Sequence, residues 1–133
     1  ASDKTQIEQA LAATGQTVWV KQEGDLDAVT AVSGSGPAYV FYFMEAMMAA
    51  GEKLGLSAAA AKQLTLATFA GATHLAAASP ESPATLRERV TSKGGTTYAA
   101  LSTMQEANLA GIIDAAMHKA AARAAELGQE FGA

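Results

Sequence analysis

Residues 37–50 read Pro-Ala-Tyr-Val-Phe-Tyr-Phe-Met-Glu-Ala-Met-Met-Ala-Ala. Pro37 suits the first turn of a helix, where the N–H that proline lacks would have no intrahelical partner. A helix that starts here and continues to Lys53 is apolar on nearly every side, so it must be buried over most of its surface. The run is shorter than the roughly 20 residues that cross a bilayer, and it contains Glu45. We therefore expect this helix to be buried against protein.

The composition agrees with a helical domain. The chain has 133 residues, of which 50% are hydrophobic, 17% charged and 6% aromatic. This length is typical of one domain. The net charge is −4, and the absence of a basic stripe argues against a nucleic-acid partner. There is no cysteine, which excludes disulfides and thiolate chemistry. The chain does not open with a charged and then apolar leader, so we expect a cytoplasmic protein with no membrane partner.

Five further helices are predicted after residue 24. Ser57 and Ser82 are predicted N-caps, because a serine hydroxyl can accept a hydrogen bond from a first-turn amide. Gly55 is predicted to end the helix that begins at Pro37. The predicted helices span residues 25–32, 58–78, 83–90, 96–107 and 110–127. The fold class predicted for residues 25–133 is an all-α helical bundle.

The first 24 residues have a different pattern. Helical spacing over residues 3–13 is followed by Gly15 and by the β-forming run Thr17-Val18-Trp19-Val20. A helix, a glycine and a strand are typical of the closing unit of an α/β sheet, yet the rest of the chain offers no strand as a partner. The segment must then be disordered, cover an apolar surface, or pair with the same segment of another chain. We expect disorder or rearrangement before about Gly24.

The strongest chemical motif is Thr91-Ser92-Lys93-Gly94-Gly95-Thr96-Thr97. Its glycines free the backbone, and a helix is predicted to start directly after them. The first amides of a helix have no internal partner, and with the helix dipole they form an anion site. Hydroxyls lie in the motif, and Arg87, Arg89 and Lys93 add positive charge. A small carboxylate or phosphate fits this pattern, and so does an ordinary helix cap after a flexible loop.

A second motif, residues 33–39, reads Ser-Gly-Ser-Gly-Pro-Ala-Tyr. Tyr39 stands where a dinucleotide-binding loop needs its third glycine, and no suitable strand precedes the motif. It is therefore either a kinked helix entry or a backbone surface for a flat ligand. His74 and His118 stand on separate helices without an i,i+4 partner, so no metal site is predicted. For Glu45 a structural role, as a buried hydrogen-bonded carboxylate, is favoured over a groove-facing one.

Together the two motifs resemble pyrroline-5-carboxylate reductase. The matching elements are Pro83, Leu86, Val90 to Thr97, Ala100-Leu101 and Met104-Gln105. Lys93 fills a position that is often proline in relatives. The resemblance extends from Val18 to Leu127. It implies a two-domain enzyme, in which an N-terminal nicotinamide-binding Rossmann domain precedes an all-helical dimerisation domain. Residues 1–24 would be the end of the first domain, a remnant helix and strand, and residues 25–133 would be the second.

The resemblance also implies a reaction. Family members reduce the C=N bond of 1-pyrroline-5-carboxylate to give L-proline, with NADPH or NADH as the cofactor. They form interlocked homodimers, some of which assemble further. We expect the helices at 37–53 and 110–127 to pack across the two-fold axis.

The family motif assigns roles to individual residues. Ser92 and the amides of Gly95, Thr96 and Thr97 would hold the substrate carboxylate. Thr97 would also place its hydroxyl on the ring nitrogen, as the proposed proton donor. Ser35, Gly36 and Pro37 would approach the nicotinamide. The rest of the cofactor would be bound outside this chain, so we expect the isolated chain to be inactive. The alternative is a helical dimerisation module with no chemistry of its own.

Overall fold

The computed structural model describes residues 2–131, which form helices and connecting loops only. No strand occurs within that range, so the all-α prediction is confirmed. In chain order the helices are α1 (Ser2–Leu11), α2 (Asp25–Val29), a π-helical turn (Thr30–Gly34), α3 (Gly36–Lys53), α4 (Ala58–Ala78), α5 (Pro83–Arg89), α6 (Thr96–Glu106) and α7 (Leu109–Phe131).

Local hydrogen bonds set the helix boundaries as predicted. Ser57 Oγ accepts from the Ala60 amide at 3.2 Å and caps α4. Ser82 Oγ accepts from the Thr85 amide at 3.2 Å and caps α5. Gly55 follows α3 with a φ of +98°, a conformation that glycine adopts without a steric penalty.

The β-forming run at residues 18–20 is neither strand nor helix. Trp19 Nε1 donates to Glu8 Oε1 at 2.6 Å, and Lys4 Nζ lies 4.7 Å from the centre of the indole ring. A strand needs backbone partners on a neighbouring strand, and none exists in the described range. The Trp19 side chain therefore lies against α1, a helix that the sequence predicted.

The kink predicted at residues 33–37 is a π-helical turn. The Ser35 amide donates to the Thr30 carbonyl at 2.8 Å, five residues back. Ser35 ends the turn and precedes α3, with Pro37 in the first turn of that helix. Helix α2 and α3 are thus joined by one wide turn rather than by a loop.

Helix α7 runs four residues past its predicted end at Leu127. Arg123 Nη1 lies 2.7 Å from Glu126 Oε2 and 3.0 Å from Glu130 Oε1. These charge-assisted hydrogen bonds raise the pKa of Arg123 above its usual value. The ion pairs link successive turns on both sides of Gly128 and favour the continued helix.

Three sets of contacts organise the helices. Helix α3 packs against α4, where a Cβ on Gly51 would lie 3.3 Å from the Ala61 Cβ. Helix α7 packs against α2 and the π-helical turn, and α6 packs against α7. The helices therefore pack in pairs and do not enclose a common core.

The core of a single chain is small. Among the described residues, Ala31 and Ala61 are its buried hydrophobic side chains, and Thr65 is its buried polar one. Tyr42 is 72% exposed and Ile112 is 59% exposed. Within residues 2–131, none of the helices has both the length and the apolarity needed to cross a bilayer.

The accessible surface shows how open the chain is. It measures 10460 Å² for a chain of 13.5 kDa. A compact monomer of this mass exposes about 6,500 Å². This excess of accessible surface is larger than one or two extended loops would produce. The single chain thus leaves exposed the apolar surface that a closed bundle would bury.

Gly51→Ala tests the contact between α3 and α4. Alanine favours a helix over glycine by roughly 0.5–1 kcal/mol, but its methyl group would press on the Ala61 methyl. Gly128→Ala is the control, because nothing lies within 4 Å of its Cβ position. In denaturant melts at equal protein concentration, Gly128→Ala should be at least as stable as the unmodified chain. Gly51→Ala should be less stable than the unmodified chain. Equal gains from both would contradict the close packing.

Candidate functional site

The loop between α5 and α6 is built by its glycines. Gly94 has a φ of +75°, which an L side chain rarely adopts. Gly95 is the N-cap of α6, with φ −82° and ψ 177°. The Gly95 amide donates to the Ser92 carbonyl at 3.0 Å and closes the loop. A Cβ on Gly95 would lie 2.6 Å from Ser92 Oγ, so only glycine lets Ser92 lie this close to the start of α6.

The amino terminus of α6 differs from those of α4 and α5. Serine side chains cap α4 and α5, whereas no side chain caps α6. The Thr96 and Thr97 amides meet no acceptor in the described part of the chain. Free amides at the positive end of a helix dipole attract an anion. Ser92, Thr96 and Thr97 are all exposed, so their hydroxyls are accessible to a ligand.

The Gly95 amide has a different role from the one expected. It was predicted to bind a carboxylate, but its hydrogen is directed to the Ser92 carbonyl. Gly95 contributes space and backbone shape, while the free amides belong to the two residues that follow it.

The three expected cations are not equivalent. Arg89 Nη2 pairs with Glu81 Oε1 at 2.5 Å, so its charge is already engaged. Arg87 and Lys93 form no ion pair with any described residue, and Lys93 lies within the loop itself. The charge available to an anion at the loop is therefore mainly that of Lys93 and of the helix dipole. Residues 2–131 contain no cluster of His, Cys, Asp and Glu that could hold a metal ion.

The second motif lies on a different part of the chain. Ser35 and Gly36 are half-buried and Pro37 is exposed. Gly36 and Pro37 border a surface groove whose walls include Tyr39 and Phe41. No hydrogen bond joins residues 33–37 to residues 92–97 among those described. The helix contacts described above do not join the two motifs either.

Some polar residues differ from what the sequence predicts, in their partners or in their exposure. His118 Nδ1 lies 3.0 Å from the Asp114 carbonyl and 3.5 Å from Asp114 Oδ1, so it does have an i,i+4 partner. Glu45 is exposed in a groove between α3 and α4 rather than buried. The motif does not assign a role to Thr91, whose Oγ1 donates to the Arg87 carbonyl at 2.6 Å.

A family model described as pyrroline-5-carboxylate reductase dimerisation matches residues 23–127. The chain belongs to this family. The pyrroline-5-carboxylate reductase of Pseudomonas aeruginosa is 49% identical over 127 residues, which are 96% of this chain and 46% of the relative. Pyrroline-5-carboxylate reductase 2 of Bacillus subtilis is 44% identical over 110 residues, 83% of this chain and 40% of the relative. The chain thus spans about half the length of the curated relatives it matches.

Solved reductase structures share the fold. The Coxiella burnetii pyrroline-5-carboxylate reductase superimposes with a TM-score of 0.91 at 40% identity, over 95% of this chain and 47% of that one. The Plasmodium falciparum pyrroline carboxylate reductase, solved with NADP bound, gives a TM-score of 0.86 at 30% identity. It is matched over 96% of this chain and 50% of that one. The α5–loop–α6 unit therefore lies in a fold that pyrroline-5-carboxylate reductases share.

Gly94 allows a test of the loop that needs no ligand. Gly94→Ala forces a side chain into the left-handed region, which costs roughly 1–2 kcal/mol. Gly94→Asn should cost less, because asparagine tolerates this conformation. Nothing lies within 4 Å of the Cβ position, so crowding cannot explain a difference. Urea denaturation should rank the unmodified chain above Gly94→Asn, and Gly94→Asn above Gly94→Ala. An alanine variant as stable as the asparagine variant would show that the positive φ is not required.

Proposed function

We propose that this chain provides the substrate-carboxylate site and the subunit interface of an enzyme that reduces 1-pyrroline-5-carboxylate to L-proline. The observation that carries the proposal is the uncapped start of α6, which lies within the motif 91–97. A carboxylate is the anion that this reaction requires the site to hold. The domain division proposed from the sequence, with residues 1–24 belonging to a nicotinamide-binding domain, fits the family match from residue 23.

The carboxylate would be held by three donors. The amides of Thr96 and Thr97 are free, and the exposed Ser92 hydroxyl lies against Gly95, the residue that precedes them. Hydrogen bonds to a charged acceptor are stronger than neutral ones. Lys93 adds long-range attraction from the same loop. Gly95 belongs to the site because its missing side chain keeps Ser92 close to the helix start.

Thr97 is the proposed catalytic residue. Its hydroxyl would bond the ring nitrogen of the imine, where a proton must arrive as hydride reaches the carbon. A neutral hydroxyl is a poor acid, so Thr97 orients the imine and water can supply the proton. Holding the carboxylate and the nitrogen at neighbouring residues fixes the ring in one orientation.

The nicotinamide cofactor, NADPH or NADH, supplies the hydride when bound. Gly36 and Pro37 border a groove with aromatic walls, and Ser35 adjoins it, a surface whose chemistry suits a flat nicotinamide ring. The groove offers no cationic group for cofactor phosphates, and residues 33–39 lack the third glycine of a dinucleotide loop. We therefore propose that residues 35–37 meet only the nicotinamide end of the cofactor. That the isolated chain is inactive, and that the protein is cytoplasmic, remain predictions.

The interface is the second part of the proposal. A groove between α3 and α7 is lined almost entirely by apolar side chains, among them Tyr42, Phe43, Ile112 and Met117. We propose that a second copy covers it, with the helices at 37–53 and 110–127 packed across a two-fold axis. The excess accessible surface supports this arrangement. A dimerisation module without catalysis is the second candidate function, favoured by the separation of the two motifs within one chain.

Light scattering tests the interface. The chain should have a mass of twice 13.5 kDa at micromolar concentration. Ile112→Glu places a charge in the apolar groove and should give monomer or unfolded protein. Phe131→Glu is the control, because Phe131 is also an exposed apolar residue of α7, at 80% exposure, but lies at its far end. A stable monomer of the unmodified chain would refute the dimer.

Steady-state kinetics of the complete reductase test the site. Ser92→Ala should mainly raise KM for pyrroline-5-carboxylate, since it removes one hydrogen bond to a charge. Such a bond is worth about 1.5–3 kcal/mol, or roughly ten- to a hundredfold. Thr97→Ala should instead lower kcat, and Thr97→Ser should keep much of the activity. If Thr97→Ala kept the wild-type kcat, the catalytic role of Thr97 would be refuted. If none of these substitutions changed the activity, the proposed carboxylate site would be refuted.

A further inference from the structure

Thr91 makes two hydrogen bonds to the end of α5. Its Oγ1 donates to the Arg87 carbonyl at 2.6 Å, and its amide donates to the Glu88 carbonyl at 3.0 Å. The last carbonyls of a helix have no intrahelical partner. Thr91 therefore satisfies two of these carbonyls in α5 and fixes the point at which the chain leaves that helix.

Helix α5 needs such anchoring because it has only seven residues. A helix this short is not stable alone. Its start is held by the Ser82 cap and by the ion pair from Glu81 to Arg89, which spans the helix from one end to the other. At its last turn the two bonds from Thr91 are the corresponding restraint.

Thr91 also borders α6. It is half-buried and lines a cleft between the two helices together with Tyr98, Leu101 and Gln105. Thr91 is therefore bonded to α5 and lies at the cleft beside α6, where the chain passes from one helix to the next. Ser92 follows directly in the chain, so its hydroxyl depends on where Thr91 is held.

We propose that Thr91 is a positioning residue, which places Ser92 Oγ beside the free amides of α6. Its single hydroxyl proton is given to the Arg87 carbonyl, so it is not available to a substrate. Thr91 therefore acts through Ser92 rather than by touching the ligand. The proposal rests on the proposed function, in which Ser92 and the α6 amides hold the substrate carboxylate.

Thr91→Val and Thr91→Ser separate the hydroxyl from the shape of the side chain. Valine keeps the branched shape and loses the bond to Arg87, whereas serine keeps the bond. Thr68→Val is the matched control, because Thr68 Oγ1 makes the same kind of bond to the Leu64 carbonyl at 2.8 Å in α4. All three variants are measured in the complete reductase and in this chain.

In the reductase, Thr91→Val should raise KM for pyrroline-5-carboxylate by roughly threefold to tenfold, because a displaced Ser92 hydroxyl loses part of its hydrogen bond to the carboxylate. KM for NADPH should not change, and kcat should change less than KM. Thr91→Ser should restore the substrate KM, and Thr68→Val should not alter it. An unchanged substrate KM in Thr91→Val would overturn the proposal, as would a parallel loss in all three constants.

Amide hydrogen exchange in this chain gives an activity-independent measurement. The Gly95 amide is bonded to the Ser92 carbonyl, so its protection reports the position of Ser92. Thr91→Val should lower this protection, whereas Thr68→Val should not. Unchanged protection would overturn the positioning role even if the reductase is active. Reduced protection in Thr91→Val, together with a complete enzyme that does not reduce pyrroline-5-carboxylate, would refute the proposed function instead.

Discussion

The apolar surface of α3 is the constraint on which the rest of the structure depends. Packing against α4 covers one part of the helix, near Gly51 and Ala61, and leaves aromatic side chains such as Phe41 and Tyr42 exposed at 66% and 72%. Hydrophobic burial scales with area at about 25 cal/mol per Å², so this much uncovered surface is a strong drive toward association. This surface is the physical basis of our proposal that a second molecule completes the core.

The same openness bears on the candidate site. Ser92, Thr96 and Thr97 are all exposed in one chain, and water weakens the attraction between a helix dipole and an anion. The site becomes strong only when another surface excludes water from it. Association and chemistry are therefore linked in our proposal, because the surface that completes the core can also close the site.

The parts of the fold that could be predicted from sequence depend on nearby residues. The caps at Ser57 and Ser82 each need one hydroxyl and an amide three residues ahead. The β-forming run at 18–20 becomes a strand only with a distant partner, which residues 2–131 do not supply. The π-helical turn at Thr30–Gly34 packs against α7, and glycine and proline spacing marks the bend without revealing its type. The continuation of α7 past Leu127 could not be predicted, because the ion pairs of Arg123 are visible only in the structure.

The same distinction between local and distant partners applies to the candidate site. Residue types alone placed hydroxyls, glycines and a helix start together at 91–97. They did not reveal that Arg89 is paired with Glu81, or that the Gly95 amide is directed to Ser92. In a chain of net charge −4, this pairing matters, because it leaves Lys93 as the unpaired cation within the loop. In our proposal, the selectivity for an anion rests on one flexible ammonium, the Ser92 hydroxyl and two fixed amides, and the hydroxyl and the amides impose a direction on the ligand.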